Sequence, residues 1–520
     1  MQKTRFRLVS ERVTLCAALA VLAACSSDTL PKGDTTSGTS LIHNVQIVDG
    51  TGADSYAGAV RIAGNLIEEV GDLEPMPGED VLDGRGLTLA PGFIDTHSHG
   101  DRDLLAQPEA LPATSQGITT IIVGQDGGSP LPLADYFAEV ESTGSAVNIA
   151  SYAGHNTIRS RVMGGDFRRP ATAAEIETMS DLLADELASG ALGLSSGLEY
   201  EPGIHSDPAE VLALAQVAAS AGGRYISHVR SEDRWFEEAL DEIIEIGRVT
   251  GMPVQVSHIK LAMKRLWGEA PRIIAKLDAA RAEGVQITAD IYPYEYWQSN
   301  LMVLLPERDY TDRAAIEEAL DQIAPPDGLW ITGYDPDPSL IGMTLAEIAA
   351  ARGVDPATAF RQLAESVDNN DEAAGNDTVS IIGTSMIEDD IRLLMRWPHT
   401  NICTDGAFDD LHPRARGSFP RVLGRYARDQ ELMTVEEAVH KMTGLTAQHV
   451  GFADRGVIRP GAIADLVLFD PQTVIDRATP DSPELLSEGI DVVWVGGQQV
   501  FAQGAARDVR PGQVIRRAAP

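Results

Sequence analysis

Two histidines one residue apart, His97 and His99, close the apolar run LTLAPGFIDTHSHGD, and Asp101 follows them. Residues two apart on a strand point to the same side, so a strand ending in His-x-His offers two imidazoles to one ion. Side chains of the same chemistry end other apolar runs: Glu199 after ALGLSSG, His228 in RYISHVR, His258 in PVQVSHIK and Asp405 in TNICTDG. Any one of them alone reads as a satisfied core or rim residue. Four histidines, a glutamate and an aspartate at one end of five inferred strands read as a metal site. Imidazole nitrogen with carboxylate oxygen suits zinc. Only Cys16, Cys25 and Cys403 are present, so a thiolate-rich zinc site is excluded, and Cys403 reads as core packing in its strand.

The elements that must carry these residues alternate. Short apolar strands are predicted at 92–97, 119–124, 147–154, 191–197, 224–230, 253–260, 285–293 and 400–406. Between several of them lie amphipathic helices such as AAEIETMSDLLADELASG, PAEVLALAQVAASAGG and RWFEEALDEIIEIGRVTG, each stopping at glycine. Eight such units predict an α/β fold, a parallel (β/α)₈ barrel of the TIM type, whose sites lie at the C-terminal ends of its strands. The predicted barrel spans 89–454, with a helical insertion around 294–399 near its mouth. Residues 41–88 and 455–515 have a different, all-β texture with turns and flank the barrel. His155 in GHNTIR, at the end of strand three, is expected to line the pocket. Arg230, two residues past His228, is expected to bind a substrate carboxylate or to pair with Glu232. His412 and His449 have no ligand-like spacing.

The chain has 520 residues, 43% hydrophobic and 23% charged, with a net charge of −36. That length exceeds one small core, and the acidic surface repels nucleic acid. Residues 1–24 read as a signal peptide: Lys3, Arg5, Arg7 and Arg12 precede VTLCAALAVLAA, which is shorter than the roughly 20 residues that span a bilayer. This segment ends LAAC, which resembles a bacterial lipobox. The resemblance implies lipidation at Cys25, membrane contact only through that anchor, and export. Ser26 after the cysteine implies the periplasmic face of the outer membrane. Residues 25–40 then form a flexible tether.

PGFIDTHSHGD, SHVRSE, SHIK, CTDG, HPRARGSFPRVLGRYARD and the tail GVIRPGAIADLVLFDP together resemble the amidohydrolase superfamily, and within it the N-acyl-D-amino-acid deacylases (D-aminoacylases), over roughly residues 41–515. The resemblance implies one or two zinc ions in a metal-dependent hydrolase barrel, with a small β-sandwich built from both ends of the chain. His97, His99 and Asp405 would hold one metal, and His228 and His258 the other. In the family a cysteine in a GNCG-like turn, or a carboxylated lysine on strand four, bridges the metals. Here GQDGG puts Asp126 at the cysteine's place and Glu199 stands near the lysine's. Glu199 is the preferred bridge and Asp126 the second candidate. The implied reaction is hydrolysis of an N-acyl-D-amino acid by metal-activated hydroxide, with Asp405 as general acid and base. By family position Lys260, Tyr292 and Arg414 would bind the substrate's carboxylate. A dipeptide or a cyclic amide is the alternative substrate. A non-catalytic binding protein on the same barrel would lack ligands that are all present here.

Overall fold

The computed structural model describes residues 38–367 and 379–518. The signal segment, Cys25 and most of the tether lie outside those residues, and Thr39 and Ser40 already belong to the first strand, Thr39–Ile47.

The barrel strands are Phe93–Asp95, Ile118–Val123, Asn148–Ser151 (resuming at Ala153–Gly154), Gly193–Gly197, Arg224–His228, Val254–Val256, Ile287–Ile291 and Thr400–Ile402. Within its two parallel arcs each strand pairs with the next. Runs such as ITTIIV are buried at every position, as a sheet covered on both faces requires. Strand eight meets strand one at the rim: Asp405 N donates to His97 O (2.8 Å) and His99 N to Gly406 O (2.9 Å). The Asp95 carboxylate adds a bond from Thr404 N at 2.9 Å. The closing seam therefore lies among the residues singled out for chemistry.

The helices form where the apolar period is 3.6. Ala173–Ala188 starts at Thr172 in a reciprocal cap with Glu175, which satisfies two backbone N–H groups. Phe236–Thr250 buries Phe236, Leu240, Ile243, Ile244 and Gly247 on one face. It ends at Gly251, whose φ of +69° suits a residue without Cβ. No helix of the described residues is long and apolar enough to cross a membrane.

Strands from both ends of the chain share one nine-stranded sheet, joined where Thr88–Pro91 pairs antiparallel with Leu466–Phe469. Ile42, Val60, Ile62, Leu89, Leu466, Leu468 and Trp494 pack its core. Beyond the sheet the tail runs along barrel strand three, with Ile149 N donating to Gln513 O (2.9 Å) and Ile515 N to Ile149 O (2.7 Å).

The insertion differs from the helical expectation. It holds an antiparallel sheet of Tyr296–Asn300, Ser380–Thr384 and Leu329–Gly333 as well as helices Arg313–Gln322, Leu345–Arg352 and Pro356–Glu365. The strand YWQSN is short, and its last three residues are polar in succession, so it carries little apolar signal.

Candidate metal centre

His97 is fully buried, and neither of its ring nitrogens has a hydrogen-bond partner among the described residues. Its Nε2 lies 3.4 Å from Asp126 Oδ1 and 3.4 Å from Asp405 Oδ1. His99 Nε2 lies 3.3 Å from Asp126 Oδ2 and 3.3 Å from Asp405 Oδ1. His258 Nε2 approaches Asp126 Oδ1 at 3.3 Å. One carboxylate, that of Asp126, thus touches three imidazoles.

A second cluster adjoins it through His258. His228 Nδ1 is 3.2 Å from His258 Nε2, and its Nε2 is 3.0 Å from Glu199 Oε2. Glu232 Oε1 is 2.9 Å from His258 Nδ1. The ligand atoms of His97, Asp126, His258 and Asp405 all lie within 4.8 Å of one another, as do those of His228, Glu232 and His258. Buried, unpartnered imidazole nitrogens among carboxylates are a donor set that fits one or two zinc ions.

The backbone re-aims these side chains. Asp126, His258 and Asp405 follow strands two, six and eight with φ of +53°, +33° and +51°. Non-glycine residues rarely sit there, and such strain, of order 1–3 kcal/mol each, concentrates at functional sites.

The charges explain what a metal displaces. Burial and Arg102 push His99 down, but Asp126 and Asp405 outweigh them and carry it up to about 9. Burial and Lys260 oppose protonation of His258, yet Glu232, Asp405 and Asp126 raise it to about 10. Burial alone would raise Asp405, but Arg414 and the rings of His258 and His97 hold it well below the usual carboxylate range. A ligating imidazole must first lose its proton. Zinc affinity should therefore fall as pH drops below about 9, by up to roughly tenfold per pH unit for each protonated ring. Titration with a competing chelator from pH 6 to 9 checks this; a flat profile would contradict it.

The remaining candidates separate. Lys260 Nζ donates to Glu232 Oε1 (2.6 Å) and lies 2.7 Å from His258 Nδ1. Arg414 Nη1 pairs with Asp405 Oδ2, and its guanidinium stands 4.8 Å from the centre of the Tyr292 ring. All three line one cleft with Glu199, Tyr200, His228, His258 and Asp405. Tyr292 Oη and Arg414 Nε are buried without hydrogen-bond partners among the described residues. Two candidates are not brought there. Arg230 forks onto Glu242 at 2.8 Å through both Nε and Nη2, so it pairs with neither Glu232 nor the cleft. His155 is fully buried, with Nε2 2.8 Å from Glu210 Oε1 in a cluster with Arg159. Both are held by carboxylates on the helix Pro208–Ser220 or the helix Phe236–Thr250. Glu199 reaches His228, whereas Asp126 has the bridging position between imidazoles of different strands.

Three contributors escaped the sequence reading. Glu232, four residues past His228, looks like a loop acid until Lys260 and His258 close on it. Asp290 receives Gln255 Nε2 at 2.6 Å and lies 3.9 Å from His97 Nδ1. Its signal was there: a lone carboxylate inside the apolar strand ITADI. Tyr200 lays its ring 4.2 Å from that of His228.

The amidohydrolase family profile matches residues 80–335 and 337–501. N-acyl-D-glutamate deacylase of Alcaligenes xylosoxydans xylosoxydans is 39% identical over 495 residues, covering 91% of this chain and 95% of that protein. The structure of N-acyl-D-glutamate deacylase from Bordetella bronchiseptica, solved with zinc and a phosphonate mimic of the tetrahedral intermediate, superposes with a TM-score of 0.82 at 39% identity, over 92% of this chain and 99% of that one. A D-aminoacylase structure described as having a binuclear metal centre gives 0.82 at 34% identity, over 92% and 99% of the two chains.

Proposed function

The chain belongs to the amidohydrolase family, and on that premise we propose that it hydrolyses N-acyl-D-amino acids to a carboxylate and a free D-amino acid, with zinc as its cofactor. The observation that carries this reading is the joining of the two halves of such a site in one cleft. Imidazoles and carboxylates suited to zinc stand beside unpartnered donors on Tyr292 and Arg414 suited to a substrate carboxylate.

Zinc supplies Lewis acidity towards the scissile carbonyl and lowers the pKa of bound water towards 7. Asp405 faces His97 and His99 with Oδ1 and is held ionised by Arg414 on Oδ2, so it takes the water's proton and returns it to the departing amine. Glu232 accepts from His258 Nδ1 and keeps Nε2 free as a ligand nitrogen. Asp126, within 3.3–3.4 Å of Nε2 of His97, His99 and His258, would hold zinc together with them. Tyr292 and Arg414 orient the substrate through its carboxylate.

The rest of the cleft favours an uncharged substrate side chain. Trp297, Val303, Leu304 and Ile323 form its apolar wall; among the described residues Lys260 and Arg414 are its only lysine and arginine, whereas Glu199, Glu232 and Asp233 also line it. Burying an apolar side chain contributes about 1.5–3 kcal/mol. N-acetyl-D-leucine or N-acetyl-D-phenylalanine should therefore exceed N-acetyl-D-glutamate at least tenfold in kcat/KM. A preference for D-glutamate would overturn the side-chain assignment alone. Failure of zinc-loaded protein on every N-acyl-D-amino acid would overturn the deacylase reading, and turnover of dipeptides or hydantoins would replace it.

The LAAC segment supports export and lipid attachment at Cys25. The full chain should partition with membranes and Cys25→Ala should not; equal partitioning of the two would refute the anchor.

A further inference from the structure

A second cavity, of about 330 Å³, opens on the opposite face of the barrel. It lies where strands five to eight begin, and the helix Gly444–Val450 forms one wall. Arg224, Arg281, His399 and His449 line it, and among the described residues no carboxylate does. That composition is unexpected in a chain of net charge −36.

The cationic groups are poorly compensated. Arg224 makes no side-chain hydrogen bond or ion pair among the described residues. Arg281 donates to a single backbone carbonyl, that of Ile287. Asp278, the carboxylate felt by both Arg281 and His399, lies outside the lining and accepts from Trp397 Nε1 at 2.8 Å. His449 Nδ1 is 2.8 Å from Asn401 Oδ1, and Asn401 Nδ2 donates to Gln255 Oε1 at 3.2 Å. The proton on His449 therefore sits on Nδ1, and Nε2 has no hydrogen-bond partner among the described residues. Burial, with His399, Arg281, Lys441 and Arg224 nearby, depresses His449 to about 3. Charges of one sign drawn together without a counter-charge cost stability unless an anion joins them.

The floor is polar and internally hydrogen-bonded. Gln255 Oε1 also accepts from Thr288 Oγ1 at 3.0 Å, and Gln255 Nε2 donates to Asp290. Tyr152 and Tyr225 contribute to the same lining. A volume of this size falls at the lower end of small-molecule pockets, about 300–1,000 Å³.

We propose that this cavity binds a small molecule through a phosphate or carboxylate group, held by the guanidinium groups of Arg224 and Arg281. Planar guanidinium donors suit such oxyanions. The site is separate from the metal centre, which lies at the other ends of the same strands.

Calorimetric titration of the zinc-loaded protein with inorganic phosphate and with citrate, at ionic strength fixed by chloride, tests it. Saturable binding with a Kd below about 1 mM, accompanied by a rise in the thermal midpoint, is expected for at least one probe. Arg224→Gln should weaken that binding at least tenfold while leaving deacylase kcat/KM and the circular dichroism spectrum unchanged, and Arg224→Lys should restore part of it. Absence of saturable binding by both probes overturns the proposal. Binding that survives in Arg224→Gln but is lost in the Asp126→Ala protein also overturns it, because the anion would then be at the metal centre.

Discussion

Asp126→Ala protein, expressed and exchanged into chelator-free buffer, is expected to hold less than half the zinc of the wild type and to lose deacylase activity at least about 100-fold. The basis is geometric: this carboxylate touches Nε2 of His97, His99 and His258 at 3.3–3.4 Å. Loss of an outer-shell partner of a metal ligand already costs about 10–100-fold in affinity or activity, and a shared ligand should cost more. Glu199→Ala is the informative companion. Glu199 contacts His228 at 3.0 Å and no other imidazole of the two clusters, so most of the zinc should remain. Elemental analysis of the three proteins decides the matter. Zinc retained in Asp126→Ala and lost in Glu199→Ala would return the bridge to strand four.

Asp405→Asn should lower kcat by about 10²–10⁴ even in protein loaded with zinc to the wild-type content, because asparagine preserves the shape but not the proton acceptor. It also removes the anionic partner of buried Arg414. An uncompensated buried guanidinium costs about 3–5 kcal/mol, so the thermal midpoint should drop as well. Arg414→Gln separates the two roles: it should raise KM through the substrate carboxylate and spare part of kcat. Full activity in a folded Asp405→Asn protein would remove the general acid and base from the mechanism.

The barrel and the histidines were legible because parallel strands buried on both faces write continuous apolar runs, and a histidine at the end of such a run is conspicuous. The residues that bind the site together were not. Asp126 and Glu199 both follow strands, and only the distances across the barrel mouth show that Asp126 meets imidazoles from two other strands whereas Glu199 meets one. Glu232 and Arg230 stand two residues apart in HVRSED, and the sequence offered either a substrate carboxylate or Glu232 as the partner of Arg230. The backbone instead turns Arg230 to Glu242 and Glu232 to Lys260. His155 failed for a related reason: a buried histidine at a strand end can be satisfied by a carboxylate one helix away, here Glu210, which no local pattern announces. In the insertion, short strands such as the polar YWQSN hid inside a segment whose helices dominated the pattern.

The seam between strands one and eight also constrains how the molecule comes into being. Asp95 and Thr404, which fasten it, are 309 residues apart. A growing chain carries His97 and His99 early, yet lacks Asp405 and the strand that fastens beside them until most of the polypeptide has been made. The flanking sheet waits longer still, since its early strand Thr88–Pro91 pairs with Leu466–Phe469. Such long-range pairings close slowly. Chains that end before Thr404 lack the partner that fastens the seam, so the metal-binding side chains are expected to come together only once the C-terminal part of the chain is in place.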